Sequence, residues 1–259
     1  KGEFLQLSDS KQMAYKIAWN RMDKIKYKEI QALTVLDLRN LVEGLTYYPA
    51  RDVKQVLSHL FKLAGADRWV DKSLPSYIVL PKLEEKEREP FTVKEQEALW
   101  KLWEQGDKDA AIPLIMIYTG MMPGELRKLA VNMIDFNKGE INGIGIKTEV
   151  RRKSAIYLAK DIIPVLQEIT TGKVGIIYPW TKDTFYKIYY AVLERAGCRK
   201  LQPYSCRHTT ATALAVDNRV APQTVKKIMR WASTKMLDRY AHPDVSDAKE
   251  AIEKINRKA

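Results

Sequence analysis

The ten residues from Pro81 to Pro90, PKLEEKEREP, constrain this chain more than any other stretch. Two prolines bracket a charge-dense run whose one large apolar residue is Leu83, the composition of an exposed connection between domains. The break predicts two domains, over residues 1–83 and 91–259, with 84–90 as the linker. A chain of 259 residues is long enough for that division.

Helical periodicity dominates the first domain. Met13, Ala14, Ile17 and Ala18 give the segment from Ser10 to Trp19 an apolar side. Thr34 precedes a run with Leu36, Leu38, Leu41 and Val42, and Gly44 is its stop. Pro49 stands just before a third run, with Val53, Val56, Leu57, Leu60 and Leu63 on one side. Lysines and arginines, among them Lys11, Lys16, Arg21, Lys54 and Lys62, interleave on the other faces. A small helical bundle with a basic exterior follows, suited to DNA backbone contact or simply to solubility.

The second domain opens with a capping box, Thr92 with Glu95, ahead of Ala98, Leu99 and Leu102. Turn signals at Asn137-Lys138-Gly139 and Asn142-Gly143 flank short alternating pieces. Ile141, Ile144 and Ile146 then lead into KTEVRRKSAIYL, predicting a small antiparallel sheet or hairpin. Helical spacing resumes at Ile162, Val165, Leu166 and Ile169, and again from Thr181 to Ala196, with Gly197 as a stop. The fold class is therefore mainly α with a small antiparallel β-sheet.

The charge balance is 44 Lys+Arg against 32 Asp+Glu, a net +12. Such an excess favours a polyanionic partner, because neutralising phosphates releases counterions, although a solvated basic surface has the same composition. Two cysteines, Cys198 and Cys206, with His59, His208 and His242 scattered, cannot build a disulfide framework or a four-ligand zinc site. A reducing compartment is the default expectation. No apolar run reaches the roughly 18 residues of a membrane span, and no signal peptide opens the chain. The first residue is Lys1, so an N-terminal region that once preceded it is expected to have been removed.

The stretch from Pro203 to Pro243 holds Arg207-His208-Thr209 and, 33 positions after Arg207, Tyr240-Ala241-His242. Trp231 stands nine residues before Tyr240. This arrangement resembles the C-terminal box of the tyrosine recombinases, the phage and conjugative-transposon integrase family. The resemblance extends over the whole layout: a basic helical domain, a charged linker, a capped first helix, a Thr-Gly…Gly-Glu-Leu motif at Tyr118–Leu126, a hairpin, and the Arg…Tyr box. It implies an N-terminal helical core-binding (SAM-like) domain and a C-terminal tyrosine-recombinase catalytic domain.

In that family a tyrosine oxygen attacks a DNA phosphate and releases a 5′-hydroxyl. The exchange conserves bond energy, so the resemblance implies no cofactor: neither ATP nor a metal. It makes Tyr240 the nucleophile and Arg207 an arginine of the phosphate clamp, where a planar fork suits the developing charge. Lys147, before Thr148, matches the general-acid lysine. Trp231 takes the place of a His or Trp and can donate one indole N–H. Tyr204 takes the place of a His or Lys three residues before Arg207. Arg151, Arg152, Lys153 and His208 are expected to contact DNA.

One position departs. Met122 stands where the family carries its first catalytic arginine. Three accounts stay open: Arg127, in a helix that Pro123 could start, reaches the phosphate instead; the lineage works with a weakened clamp; or the chain binds DNA and cleaves slowly. Losing such a donor costs about 2.7–4 kcal/mol of transition-state stabilisation.

The resemblance further implies double-stranded DNA with inverted core-type sites as partner. It implies a homo-oligomer on that DNA, dimer to tetramer, joined through an amphipathic tail over 245–259. The expected place is the cytoplasm of a bacterial cell, at the nucleoid and not in a membrane, in the service of a mobile element. The competing expectation is a catalytically weakened or inactive DNA-binding protein on the same scaffold.

Overall fold

A computed structural model describes residues 2–66, 70–83, 89–145, 149–217 and 220–240. The chain divides into two compact units, Lys1–Lys86 and Glu87–Ala259.

The first unit is helical: α1 (Gly2–Leu5), α2 (Asp9–Asn20), α3 (Val35–Asn40) and α4 (Tyr47–Ala66). Thr34 caps α3 through a reciprocal box with Asp37, whose carboxylate accepts from the Thr34 backbone N–H at 3.0 Å. Helix α4 begins two residues ahead of Pro49, which the first helical turn tolerates because its N–H has no partner there. Ala50, Val53, Leu57, Phe61 and Ala64 form its buried stripe, and the first four pack with Ala18, Met22, Leu38 and Ile78. The sequence reading misplaces the inner face of α2. Met13 and Ile17 are exposed, and the helix turns Ala18 inward with the half-buried Lys11, Ala14 and Tyr15. Lys11 reaching Asp52 at 3.0 Å and Gln55 at 2.6 Å on α4 fixes that rotation. Leu36 and Leu63 are also exposed rather than core.

The second unit contains α5 (Val93–Glu104), α6 (Ala111–Thr119), α7 (Pro123–Leu126), α8 (Glu149–Lys153), α9 (Ile162–Thr170), α10 (Lys182–Arg195), α11 (Tyr204–Val216) and α12 (Pro222–Ile228). A 3-10 turn over Thr234–Arg239 leads to Tyr240. The strands β1 (Ile134–Asp135), β2 (Glu140–Ile141) and β3 (Ile156–Tyr157) form an antiparallel sheet in that order. Ile141 pairs with Ile134 on one side and Ile156 on the other.

Helix α6 is apolar on nearly every side, so it can only be a core helix. It is packed by α11, α9 and α5. The Thr92–Glu95 box caps α5 as the residues predict, and Glu95 does more: both carboxylate oxygens accept from Arg199 (2.9 and 2.8 Å), and Oε1 takes the Arg199 backbone N–H at 3.0 Å. That knot ties the loop before α11 to the start of α5.

The sheet is smaller than KTEVRRKSAIYL suggests. Residues Glu149–Lys153 turn into α8, and only Ile156–Tyr157 pairs as a strand. Gly145 allows this, because a Cβ there would collide with the main chain of Arg151 and Arg152. Among the described residues no helix is long and apolar enough to cross a membrane.

Candidate active site

Helix α11 starts at Tyr204, so Tyr204, Arg207 and His208 fall one turn apart on one side. Its place is fixed by two threonines: Thr209 Oγ1 accepts the Phe91 backbone N–H at 2.8 Å, and Thr210 Oγ1 donates to the Ile117 carbonyl at 2.6 Å. Arg207 is thereby driven into the protein, 3 % exposed. Its Nη1 donates to the Gly120 carbonyl at 2.6 Å and its Nη2 to the Met229 carbonyl. Gly120 ends α6 with φ +62°, a left-handed conformation natural to glycine, and this turn aims its carbonyl at Arg207. Burial first, and then neighbouring Arg151, push the Arg207 guanidinium down to about 10.

Beside Arg207 lies a second cluster, centred on Glu125 of α7. Its Oε2 accepts from the Met122 backbone N–H (2.9 Å), from Arg230 Nη2 (2.8 Å) and from Arg151 Nη2 (3.3 Å). All three charged side chains are buried. Arg151 comes from α8, and its Nη1 meets Met122 Sδ. Burial lowers the Arg151 pKa, Glu125 opposes that, and Arg230 adds to it. Arg230 is held at φ +52°, the one non-glycine residue with positive φ among those described. A side chain in that region costs of order 1–3 kcal/mol, so the surroundings must over-determine it. Tyr204 is near enough to bear on the charge of both Arg151 and Arg207.

Tyr240 completes the site. Its ring stacks on Trp231, centroids 5.5 Å apart and planes at 15°, and lies 4.8 Å from the His208 ring. Trp231 is 7 % exposed and packs with Ala211, Val225 and Met229. The fold therefore brings Tyr204, Arg207, His208, Trp231 and Tyr240 to one region, with Met122 and Arg151 at its edge.

Arg127 is the C-cap of α7 and half-buried, and its backbone N–H donates to the Pro123 and Glu125 carbonyls. Arg152 and Lys153 are exposed on α8, on a helix rather than the strand expected. Lys147, His242 and the tail over 245–259 lie outside the described residues. Sequence reasoning gave no part to Glu125 or Arg230. The available signal was a charged residue set between Met229 and Trp231, where apolar neighbours lead one to expect another core position.

The fold aligns with a Tn1549 transposon integrase in complex with transposon right end DNA, at TM-score 0.75 and 17% identity, over 97% of this chain and 95% of that one. The same integrase with a circular intermediate DNA aligns at TM-score 0.77 and 17% identity, covering 96% and 95%. A lambda integrase dimer bound to a COC′ core site aligns at TM-score 0.71 and 14% identity, covering 90% and 72%. At such identities the likeness speaks for the fold alone. No curated protein sequence matches significantly. Residues 91–247 match the model of the phage integrase family, a span that holds the Glu125 cluster, Arg207, Trp231 and Tyr240 together. By that match, over more than half its length, the chain belongs to the phage integrase family.

Proposed function

We propose that this protein is a site-specific DNA recombinase that cuts and rejoins DNA through a 3′-phosphotyrosyl intermediate, integrating or excising a mobile element. The observation that carries this reading is the Tyr240 ring held against Trp231 and His208, next to the buried Arg207 on the same helix as His208. Tyr240 Oη attacks the phosphorus, and its proton passes to solvent water. The P–O5′ bond breaks, and Lys147 protonates the leaving 5′-oxygen. Arg207 stabilises charge on the non-bridging oxygens, helped by the Trp231 indole N–H and the Tyr204 hydroxyl. The 5′-hydroxyl of another strand then reverses the step, so no bond energy is lost.

The partner is double-stranded DNA, read at inverted core-type sites by a homo-oligomer, dimer to tetramer, joined through the C-terminal tail in a bacterial cytoplasm. DNA in the solved complexes of similar fold supports the choice of partner. Residues 1–83 act as the core-type DNA-binding domain and 91–259 as the catalytic domain. Met122 favours a second reading, a catalytically weakened DNA-binding protein on the same scaffold.

A denaturing gel with labelled, nicked DNA from the boundary of the encoding element separates the two. A covalent band present in wild type and absent in Tyr240→Phe supports the recombinase. Binding without a band in any form supports the weakened protein.

A further inference from the structure

We propose that Arg230 is a catalytic residue of this site, and that the N–H groups its fold leaves unused bind the non-bridging oxygens of the scissile phosphate. The inference rests on the recombinase reading above. It adds a guanidinium carried by the turn between α12 and Trp231, where sequence reasoning assigned no role.

An arginine has five N–H donors in a planar fork and no acceptor. Arg230 Nη2 donates to Glu125 Oε2 at 2.8 Å. Nε and Nη1, which carry three of the five N–H groups by the chemistry of the side chain, are buried and have no hydrogen-bond partner among the described residues. The side chain is fully buried. Burying charged donors without acceptors is costly, and a pairing with Glu125 accounts for Nη2 alone. The backbone adds to that cost, because Arg230 stands at φ +52°, where a residue with a Cβ is strained. Strain and unused donors thus meet at one buried residue of the candidate active site. A group held ready for a substrate anion has that signature.

The neighbours of Arg230 set where that anion lies. Met229 precedes it, and the Met229 carbonyl accepts from Arg207 Nη2. Trp231 follows it, and the Trp231 indole stacks on the Tyr240 ring. Arg230 therefore stands in the chain between the seat of Arg207 and the platform of the nucleophile. Its charge also acts on Arg207. The Met122 backbone N–H and Arg230 Nη2 reach the same Glu125 oxygen, at 2.9 and 2.8 Å. The Arg230 guanidinium thus lies beside the backbone of the position that carries methionine instead of an arginine, and its planar fork suits phosphate oxygens. Burial does not separate it from Arg207, which is 3 % exposed and rests on the residue next to it. A phosphate that reaches Arg207 has reached the same turn.

The test is single-turnover adduct formation on the nicked substrate, with DNA affinity and urea midpoint measured on the same samples, for wild type, Arg230→Gly and Arg230→Lys. Glycine tolerates the positive φ, so Arg230→Gly removes only the side chain. It should form adduct about a hundredfold more slowly, at nearly unchanged affinity. Arg230→Lys keeps a charge for Glu125 and loses the planar fork, so it should fall between, and it decides the matter if Arg230→Gly does not fold. A second substrate carries a methylphosphonate at the scissile position, which removes the charge of one non-bridging oxygen. On it the gap between wild type and the Arg230 variants should shrink, because the charge that the guanidinium serves is gone. A folded variant that cleaves at the wild-type rate overturns the assignment. So does one slowed by the same factor on both substrates, because that loss belongs to the fold.

If wild type forms no adduct, or Tyr240→Phe forms it equally, the recombinase reading is what fails. The rise in melting temperature with inorganic phosphate then decides Arg230. A rise lost in Arg230→Gly and kept in Lys101→Gln, which removes an exposed charge on α5, supports the anion site. An equal rise in wild type and Arg230→Gly overturns it.

Discussion

Tyr240 lies 15° from parallel with the indole of Trp231, centroids 5.5 Å apart. The contact joins the end of the 3-10 turn to a small core of Ala211, Val225 and Met229, so the candidate nucleophile rests on a packed platform. Its position is set by apolar packing from below as well as by neighbours at the ring edge.

That platform gives a first prediction. Trp231→Ala should cost about 3–5 kcal/mol, as large-to-small aromatic truncations do, and blur the Tyr240 position. Trp231→Phe keeps the stack and loses the indole N–H, so it should remain close to wild type in stability while forming adduct more slowly. Urea denaturation and adduct rate, read on the same samples, separate platform from donor.

Glu125 pairs with both Arg151 and Arg230, and Arg230 is fully buried. Glu125→Gln should therefore destabilise by about 3–5 kcal/mol, the cost of leaving buried charge uncompensated. Arg230→Gly should be milder, because it also relieves the positive φ while Arg151 still faces the carboxylate. Urea midpoints at fixed m-value check the order of the two.

The acid limb of stability should depend on Glu95. Hydrogen bonds from Arg199, with further ones from the Thr92 backbone, hold its carboxyl at about 2 instead of 4.5. A carboxyl depressed on folding contributes fully above its unfolded value, and the contribution disappears as pH falls through the folded one. Wild type should lose stability from pH 4.5 downward toward 2, and Glu95→Gln should flatten that part of the melting-temperature profile.

Affinity for DNA should fall steeply with salt if the basic surface meets phosphates. Arg152→Gln should reduce the slope of log affinity against log salt by about one, the loss of a single phosphate contact. A flat response in wild type would remove the charge argument.

Much of the scaffold was legible because local chemistry and tertiary structure agree. Thr34 and Thr92 cap where their side chains can fold back onto the third residue, and Gly197 takes φ +65° after α10. The face of α2 was misread because periodicity detects an apolar stripe but not a Lys11–Asp52 bond that turns the helix. Residues 149–153 were read as strand because the neighbouring isoleucines alternate. What folds them into a helix is a close approach at Gly145, a contact between segments that no local pattern encodes. Tyr204, Arg207, Trp231 and Tyr240 of the candidate site were legible by order along the chain. Glu125 and Arg230 were not, because their meaning comes from a pairing across 105 positions.

Arg207 is seated on main-chain oxygens, those of Gly120 and Met229. No point mutation deletes a carbonyl, so side chains at those positions can drift across generations while both acceptors persist. The Glu125 cluster is encoded in the opposite way, by separate codons for Glu125, Arg151 and Arg230. The seat of Arg207 is thus insulated from the genetic code, and that of Glu125 is exposed to it.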